Sequence, residues 1–284
     1  MSANNAKSAR HVHLVGSVPM RDAREVFETV TAVLGQHLVR IPDGETGKRL
    51  DWITWLEPLF ANHPAFEQSG TKFRLHAGVE GRTRYRLRPG KSVAADVTFD
   101  NLFYADIARQ SYDVFAALKR QGKIPAHCKF QVDLVPAHSV IWIFVEDDLH
   151  VAVDGLFNDA VLLEIDKLAA TIPHGELAIQ FDIASAVFAR LARDEPSSYG
   201  KTKEEMQETF SKIVVRLANR VPDHIELLFH FCYGDAGHRH VVEPTDMGDM
   251  VEFANRLTRL VTRPIQLIHM PSRATAQTTG TSSR

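Results

Sequence analysis

The sequence HIELLFHFCYGD (residues 224–235) is a nearly continuous apolar run that ends in polar and ionisable side chains. The run ELAIQFDI (176–183) has the same form and contains an aspartate near its end. Apolar runs of this length are typical of parallel strands in a buried sheet. Four similar runs predict further strands, at 11–18, 38–42, 129–136 and 264–271.

Amphipathic segments separate these runs. Apolar residues recur at helical spacing, which predicts helices at 21–35, 104–122, 157–172, 203–221 and 247–261 and a further helix around 52–60. Strands that alternate with helices predict an α/β fold of the (β/α)8 TIM-barrel type. The barrel is expected to be incomplete, because only about six βα units are found where the full fold has about eight.

A different pattern lies between 64 and 103. KFRLHAG and RYRLRPG flank Glu80 and Gly81, which predicts an antiparallel excursion inserted into the barrel. We therefore expect a single TIM-barrel-like domain over residues 11–271. A flexible tail is expected before it at 1–10, and a disordered tail after it at 272–284.

Composition excludes several classes of protein. The chain has 284 residues, 24% of them charged, and a formal net charge of −2. This balance does not fit the basic surface of a nucleic-acid binder. No segment has the apolar core of a signal peptide or the length of a membrane span. We expect a cytoplasmic protein that binds a small-molecule substrate, has neither nucleic-acid nor membrane partners, and keeps Cys128 and Cys232 as thiols.

The predicted strand ends carry the candidate site. In a parallel barrel the chemistry lies where strands end and βα loops begin. His230 and Cys232 are two residues apart on one strand, so both side chains can face the barrel mouth, and His269 ends the next strand. Imidazole and thiolate are preferred zinc ligands, which makes these three residues candidate metal ligands. The alternative is a buried thiol beside a hydrogen-bonded histidine.

Three more polar residues follow strands, and each has two interpretations. Asp182 is either a substrate ligand or a carboxylate bonded to backbone. Glu45 either binds a ligand or caps the next helix, and Ser17 is a ligand or the cap of the helix at 21–35. Asp43 is expected to be a turn residue. Cys128, at the start of its strand, is expected to be a packing residue.

Two other groups of residues are expected to have structural roles. The polar cluster Asp235, His238, His240 and Glu243 lies among loop residues and is expected to line a solvated connection. The aromatic residues Trp52, Trp55 and Phe60 are expected to belong to the core. Neither a nucleotide-binding glycine motif nor a nucleophile elbow is present in the sequence.

Four motifs in a fixed order carry a family resemblance: HLVGSVP, DGETGKR, LAIQFD and HFCYGD. Together they resemble the catalytic barrel of cobalamin-independent methionine synthase, and in particular stand-alone single-barrel members of that superfamily. The resemblance covers about residues 11–271. It implies zinc ligands at His230 and Cys232, with His269 where the family has a glutamate. It also implies an amino-acid substrate held by Ser17, Glu45 and Asp182.

The resemblance implies a zinc-dependent methyltransferase-like protein that activates a thiol for methyl transfer. The family's fourth zinc ligand, a cysteine on the eighth strand, has no counterpart here, so weak zinc binding is expected. The alternatives are a degenerate barrel that binds a small molecule without turnover, and a truncated chain with little stable fold. An open barrel would also expose strand edges, so we expect self-association through them.

Overall fold

The computed structural model describes residues 11–75, 77, 79–234 and 239–271. The predicted tails at 1–10 and 272–284 lie outside the described residues, as do Asp235 and His238. None of the helices within the described ranges is long and apolar enough to cross a membrane.

The main sheet is a curled half-barrel of five parallel strands in the order β1-β4-β5-β6-β7. Its strands are β1 (Arg40–Pro42), β4 (Lys129–Leu134), β5 (Leu177–Ile183), β6 (Glu226–Phe231) and β7 (Leu267–His269). The antiparallel pair β2 (Phe66–Phe73) and β3 (Arg82–Leu87) forms a separate sheet. That pair confirms the predicted excursion between 64 and 103.

Helices connect the parallel strands. They are α1 (Ala23–Leu34), α2 (Pro58–Ala61), α3 (Val93–Asp96), α4 (Tyr104–Arg120), α5 (Ala137–Phe144), α6 (His150–Thr171), α7 (Ser185–Arg193), α8 (Lys203–Ala218) and α9 (Gly248–Leu260). Asp22 caps α1, since its carboxylate accepts from the Glu25 backbone N–H at 3.0 Å. The apolar strand residues Phe130, Ile179 and Phe229 are buried in the core.

The alternate side chains of the same strands are polar. The register pairs Asp133 with Gln180, Asp182 with His230, and His230 with His269, so these side chains lie on one face of the sheet. We call this the polar face. From the amino to the carboxyl ends of the strands, it carries Arg40, Lys129 and Glu226, then Gln131 and Gln180, then Asp133, Asp182, His230 and His269.

The predicted strand at 11–18 is wrong. Only Val12 forms a bridge, with Leu38, beside β1. The chain then crosses the polar face, where the amide of Gln131 donates to the carbonyls of Leu14 and Val15 at 3.0 and 3.2 Å. Gln180 also donates to Val15, at 2.7 Å. These side chains satisfy the carbonyls that a neighbouring strand would otherwise satisfy, so no ladder forms.

Three helices, α3, α5 and α7, were not predicted, and one prediction was too simple. The unpredicted helix α5 has a nearly all-buried sequence, AHSVIWIF, without a polar stripe to reveal its period. The predicted helix around 52–60 is broken into short turns, at Gly47–Asp51, Thr54–Leu56 and Pro58–Ala61. The break lies at Trp52, whose φ of 50° is incompatible with a helix.

Candidate functional site

A cavity of about 580 Å³ opens at the carboxyl ends of the parallel strands. Its volume is in the range of small-molecule sites, about 300–1,000 Å³. Five of the six predicted site residues line it: Ser17, Glu45, Asp182, His230 and Cys232. The sixth, His269, contacts His230 on the polar face. The structure thus brings the predicted residues together, as expected for strand ends of a parallel sheet.

Three carboxylates lie close together at the inner end of this cavity: Glu45 and Asp182 line it, and Asp133 lines a small adjoining pocket with Glu45. Asp133 and Glu45 flank Gly16, and a Cβ added there would lie 3.2 and 3.3 Å from one oxygen of each. Asp182 is on the strand next to Asp133. A side chain at this position would be in tight contact with both acids, which favours glycine there. Among the described residues, none of the three carboxylates forms an ion pair with a lysine or arginine.

Burial and mutual repulsion perturb these acids. Desolvation raises the pKa of Asp133 well above its ordinary value, and the charges of Asp182 and Glu45 raise it further. Desolvation, followed by the charge of Glu45, raises the pKa of Asp182 in the same way. Burial raises the pKa of Glu45, against a smaller opposing effect of Ser17 and Arg49. Such a group favours either bound protons or a bound cation.

A tight turn positions Glu45. Gly44 has a φ of 80°, and a Cβ there would lie 2.7 Å from Cγ2 of Val26, so the turn requires glycine. Glu45 itself has a φ of 47°, and its backbone N–H donates to Asp43 at 3.0 Å. Asp43 in turn accepts from Arg49 at 2.6 Å. Asp43 is therefore the paired acid of this turn and Glu45 is the one turned to the cavity.

The carboxylates are oriented by polar neighbours. The Ser17 hydroxyl donates to Glu45 at 2.5 Å. The amides of Gln131 and Gln180 donate to Asp133 and Asp182, both at 2.9 Å. The cap interpretation of Ser17 is wrong, because Asp22 caps α1. The cap interpretation of Glu45 is wrong as well, since Thr46 precedes the next helical turn.

Histidines occupy the other side of the polar face. Nδ1 of His230 lies 2.8 Å from Nδ1 of His269, and the His13 ring centroid is 5.6 Å from that of His269. Desolvation, followed by the charge of His269, lowers the pKa of His230 to about 3 and that of His13 to about 4. Burial also lowers the pKa of His269. All three rings are therefore neutral at pH 7.

The predicted zinc ligands are His230, Cys232 and His269, and their arrangement decides whether zinc fits this site. The donor types suit zinc, and His230 and Cys232 line one cavity. However, the ring nitrogens of His230 and His269 share a hydrogen bond instead of diverging around an ion. No set of three or more His, Cys, Asp or Glu side chains within the described ranges is arranged to hold a metal. The arrangement of these side chains, within the described residues, does not fit a zinc ion.

The remaining predictions have mixed outcomes. Cys128 is fully buried, and burial raises the pKa of its thiol to about 12, which confirms a packing role. Phe60 belongs to the core as predicted. Trp52 and Trp55 are partly buried and pack against the core, and Trp52 also lines the cavity.

Sequence reasoning missed four residues of the site: Gly16, Asp133, Gln131 and Gln180. The alternation of side chains along each strand could have revealed three of them, Gln131, Asp133 and Gln180. Gln131 and Asp133 are two residues apart, as are Gln180 and Asp182, so each amide precedes its carboxylate on the same face.

No family model matches the chain, and no curated protein matches it significantly. The resemblance to cobalamin-independent methionine synthase therefore stays a prediction, and the residues of the cavity carry the functional argument.

Proposed function

We propose that this chain binds a small molecule through a protonated amino group, at the carboxylates of Glu45, Asp133 and Asp182. The observation that carries the proposal is the absence of a lysine or arginine ion pair to any of these acids within the described residues. Placing carboxylates out of water is unfavourable unless they are protonated or meet a cation. A ligand ammonium would supply that cation.

The surrounding polar groups support this assignment. Ser17, Gln131 and Gln180 hold the three carboxylates in place before a ligand arrives. Preorganised acceptors reduce the ordering that binding requires. The motif resemblance agrees, because it implies that an amino-acid substrate is held at Ser17, Glu45 and Asp182.

Binding is expected to depend on pH. The pKa values of Asp133 and Asp182 are raised, so an ammonium ion competes with protons for the same oxygens. Affinity should therefore increase as pH rises through the titration of these carboxyls and until the ligand amine itself loses its proton.

Methyl transfer to a substrate thiol is the second candidate function. It is favoured by His230 and Cys232, which line the same cavity as Glu45 and Asp182. The curled parallel sheet also supports placing the chain among TIM-barrel-type folds. The pKa of His230, about 3, argues against its imidazole acting alone as the catalytic base. The pKa of a free thiol is about 8.5, so the His230 ring is too weak a base to deprotonate it.

Isothermal titration calorimetry with L-methionine tests the proposal. We expect binding without added metal, and none of 4-(methylthio)butanoic acid, which lacks only the amino group. Asp182→Asn should weaken binding at least about 30-fold, since removing one partner of a desolvated charge pair costs about 2–5 kcal/mol. The control is Asp113→Asn, an exposed aspartate on α4, which should change nothing.

Equal affinity for the two compounds, or normal binding by Asp182→Asn, would contradict the proposal. Zinc content and methyl transfer from a methyl donor to cysteine test the second candidate. One zinc per chain that is lost in Cys232→Ser, together with methylated product, would establish it over binding alone.

A further inference from the structure

The cavity has a second end with opposite chemistry. Glu45 and Asp182 mark its acidic end. Its outer wall is apolar and consists of Leu50, Trp52, Phe73, Leu75, Val79 and Ile143. A ligand that reaches only the acids would leave this wall in contact with water.

The wall comes from three parts of the chain, and the hairpin part is anchored by side-chain contacts. Phe73 ends β2, and its ring packs edge-on against Trp142 at a centroid distance of 4.8 Å. The base of the same hairpin is fixed through Tyr85, whose hydroxyl donates to Glu57 at 2.9 Å. The apolar wall is thus formed before a ligand binds.

Backbone strain places Trp52 on this wall. Its φ of 50° and ψ of −116° lie outside the regions that a bulky L-residue prefers. Such conformations persist only where the surroundings impose them, and they concentrate at ligand sites. Leu50, two residues earlier, also lines the cavity and is 42% exposed. A large aromatic side chain in a strained conformation beside an exposed leucine is costly for folding alone.

From these observations we propose that the ligand is an amine with an apolar body, such as an alkyl or aryl chain. Trp52, Phe73 and Leu75 form the surface that selects that body. This inference rests on the proposed function, because the acids bind the amino group. It adds the substrate class: a monoamine whose far end is uncharged and apolar.

Charge at the rim argues against a polyamine. Asp51 and Glu80 also line the cavity, but Asp51 is paired with Arg82. A second ammonium at that end would be repelled by Arg82, which also lines the cavity, would have only Glu80 among the described acids there as a partner, and would lose water against Trp52 and Leu75.

The test is a series of n-alkylamines from methylamine to hexylamine, with affinity measured by competition and calorimetry. We expect affinity to rise by up to about fourfold for each added methylene, the factor for burying one CH₂ group. 2-Phenylethylamine should bind, putrescine should bind more weakly than pentylamine, and hexanoic acid should not bind.

Variants assign the effect to the wall. Trp52→Gly removes the ring and relieves the positive φ, so the fold should survive; Leu75→Ala removes a smaller part. Both should flatten the increase of affinity with chain length, expressed relative to the methylamine affinity of the same variant. Leu163→Ala changes a leucine of α6 that is 50% exposed and should keep the full increase.

The outcomes separate the two proposals. If methylamine binds through Asp182 but affinity does not increase with chain length, the apolar-body inference is wrong and the proposed function stands. Stronger binding of putrescine than of pentylamine would also overturn the inference. If no amine binds, both proposals fail.

Discussion

At the amino ends of the strands, Glu226 lies between two cations: it contacts Arg40, and Nζ of Lys129 is 3.0 Å from its carboxylate. At the carboxyl ends, Asp133 and Asp182 lie among other acids, and neither forms an ion pair within the described residues. Both groups belong to the same polar face. The first set of charges is complete without a ligand, whereas the second is complete only with protons or a cation.

The difference separates stability from function. An acid paired with a cation helps to hold the fold, whereas an acid buried without a cation beside it destabilises the ligand-free protein. Proteins retain such groups mainly at functional sites, where a ligand supplies the missing charge. Substitutions at the two ends of the polar face should therefore have opposite effects on the free energy of unfolding.

The largest effect is expected for Glu226→Gln. It leaves Arg40 and Lys129 without their counter-charge, although their side chains are only 14% and 22% exposed. We expect the free energy of unfolding to fall by about 3 kcal/mol, the lower end for breaking a buried pair. Urea denaturation monitored by circular dichroism measures it.

Glu204→Gln is the matched control. Glu204 contacts Arg256, but its side chain is 72% exposed, so its loss should change the free energy of unfolding by less than about 1 kcal/mol. If the two variants lose the same stability, the amino-end ion group is an ordinary surface pair and the comparison fails.

A smaller effect of opposite sign is expected for Asp133→Asn. The amide can still accept from Gln131, while the carboxylate charge that burial, Asp182 and Glu45 all disfavour is gone. We expect a gain of about 1 kcal/mol at pH 8, an ordinary size for a single substitution. The same urea experiment detects it, and a loss of stability would show that the acid is paired in a way this geometry does not suggest.

The smallest expected effect is a pH dependence of the difference in free energy of unfolding between Asp133→Asn and the unchanged protein. The folded pKa of Asp133 is raised, so the folded protein keeps a proton that the unfolded chain releases above about 3.8. Its contribution to stability is therefore lost as pH rises from that value through the folded pKa. The advantage of Asp133→Asn over the unchanged protein should grow from pH 4 to pH 8. An advantage that shrinks over this range would contradict the assignment.

The histidines act in the other direction. The folded pKa values of His13 and His230 are lowered to about 4 and 3, from an ordinary value of 6.5. The unfolded chain binds these protons first, so stability is lost as pH falls below about 6.5. Asp133→Asn leaves this acid limb of the stability curve in place, which makes it an internal control.

Strand periodicity predicted much of this arrangement. The rule that strand ends of a parallel sheet converge correctly predicted that Glu45, Asp182, His230 and Cys232 line one cavity, whereas Ser17 reaches it from a segment that is not a strand. It also predicted five parallel strands at nearly correct positions. The roles of these residues in binding a substrate or a metal stay predictions.

Long-range interactions hid the rest. Residues 11–18 have the composition of a strand, and nothing local reveals that Gln131 and Gln180, more than a hundred residues away, bind the carbonyls there. Trp52 has helical spacing with its aromatic neighbours, and its positive φ is a property of the folded backbone alone. Asp133 also lies at a strand end, but its significance depends on the two acids that the fold brings to it.

The hydrogen bonds from the two glutamines have a consequence for motion. Because the segment at 13–17 is attached to the sheet through side-chain amides and not through a ladder, it can separate from the sheet without breaking any strand pairing. The same segment carries Gly16 and Ser17 into the cavity. Attachment of this segment and occupancy of the cavity are therefore thermodynamically linked, so a ligand held against Ser17 also shifts the population of molecules in which the segment is in place.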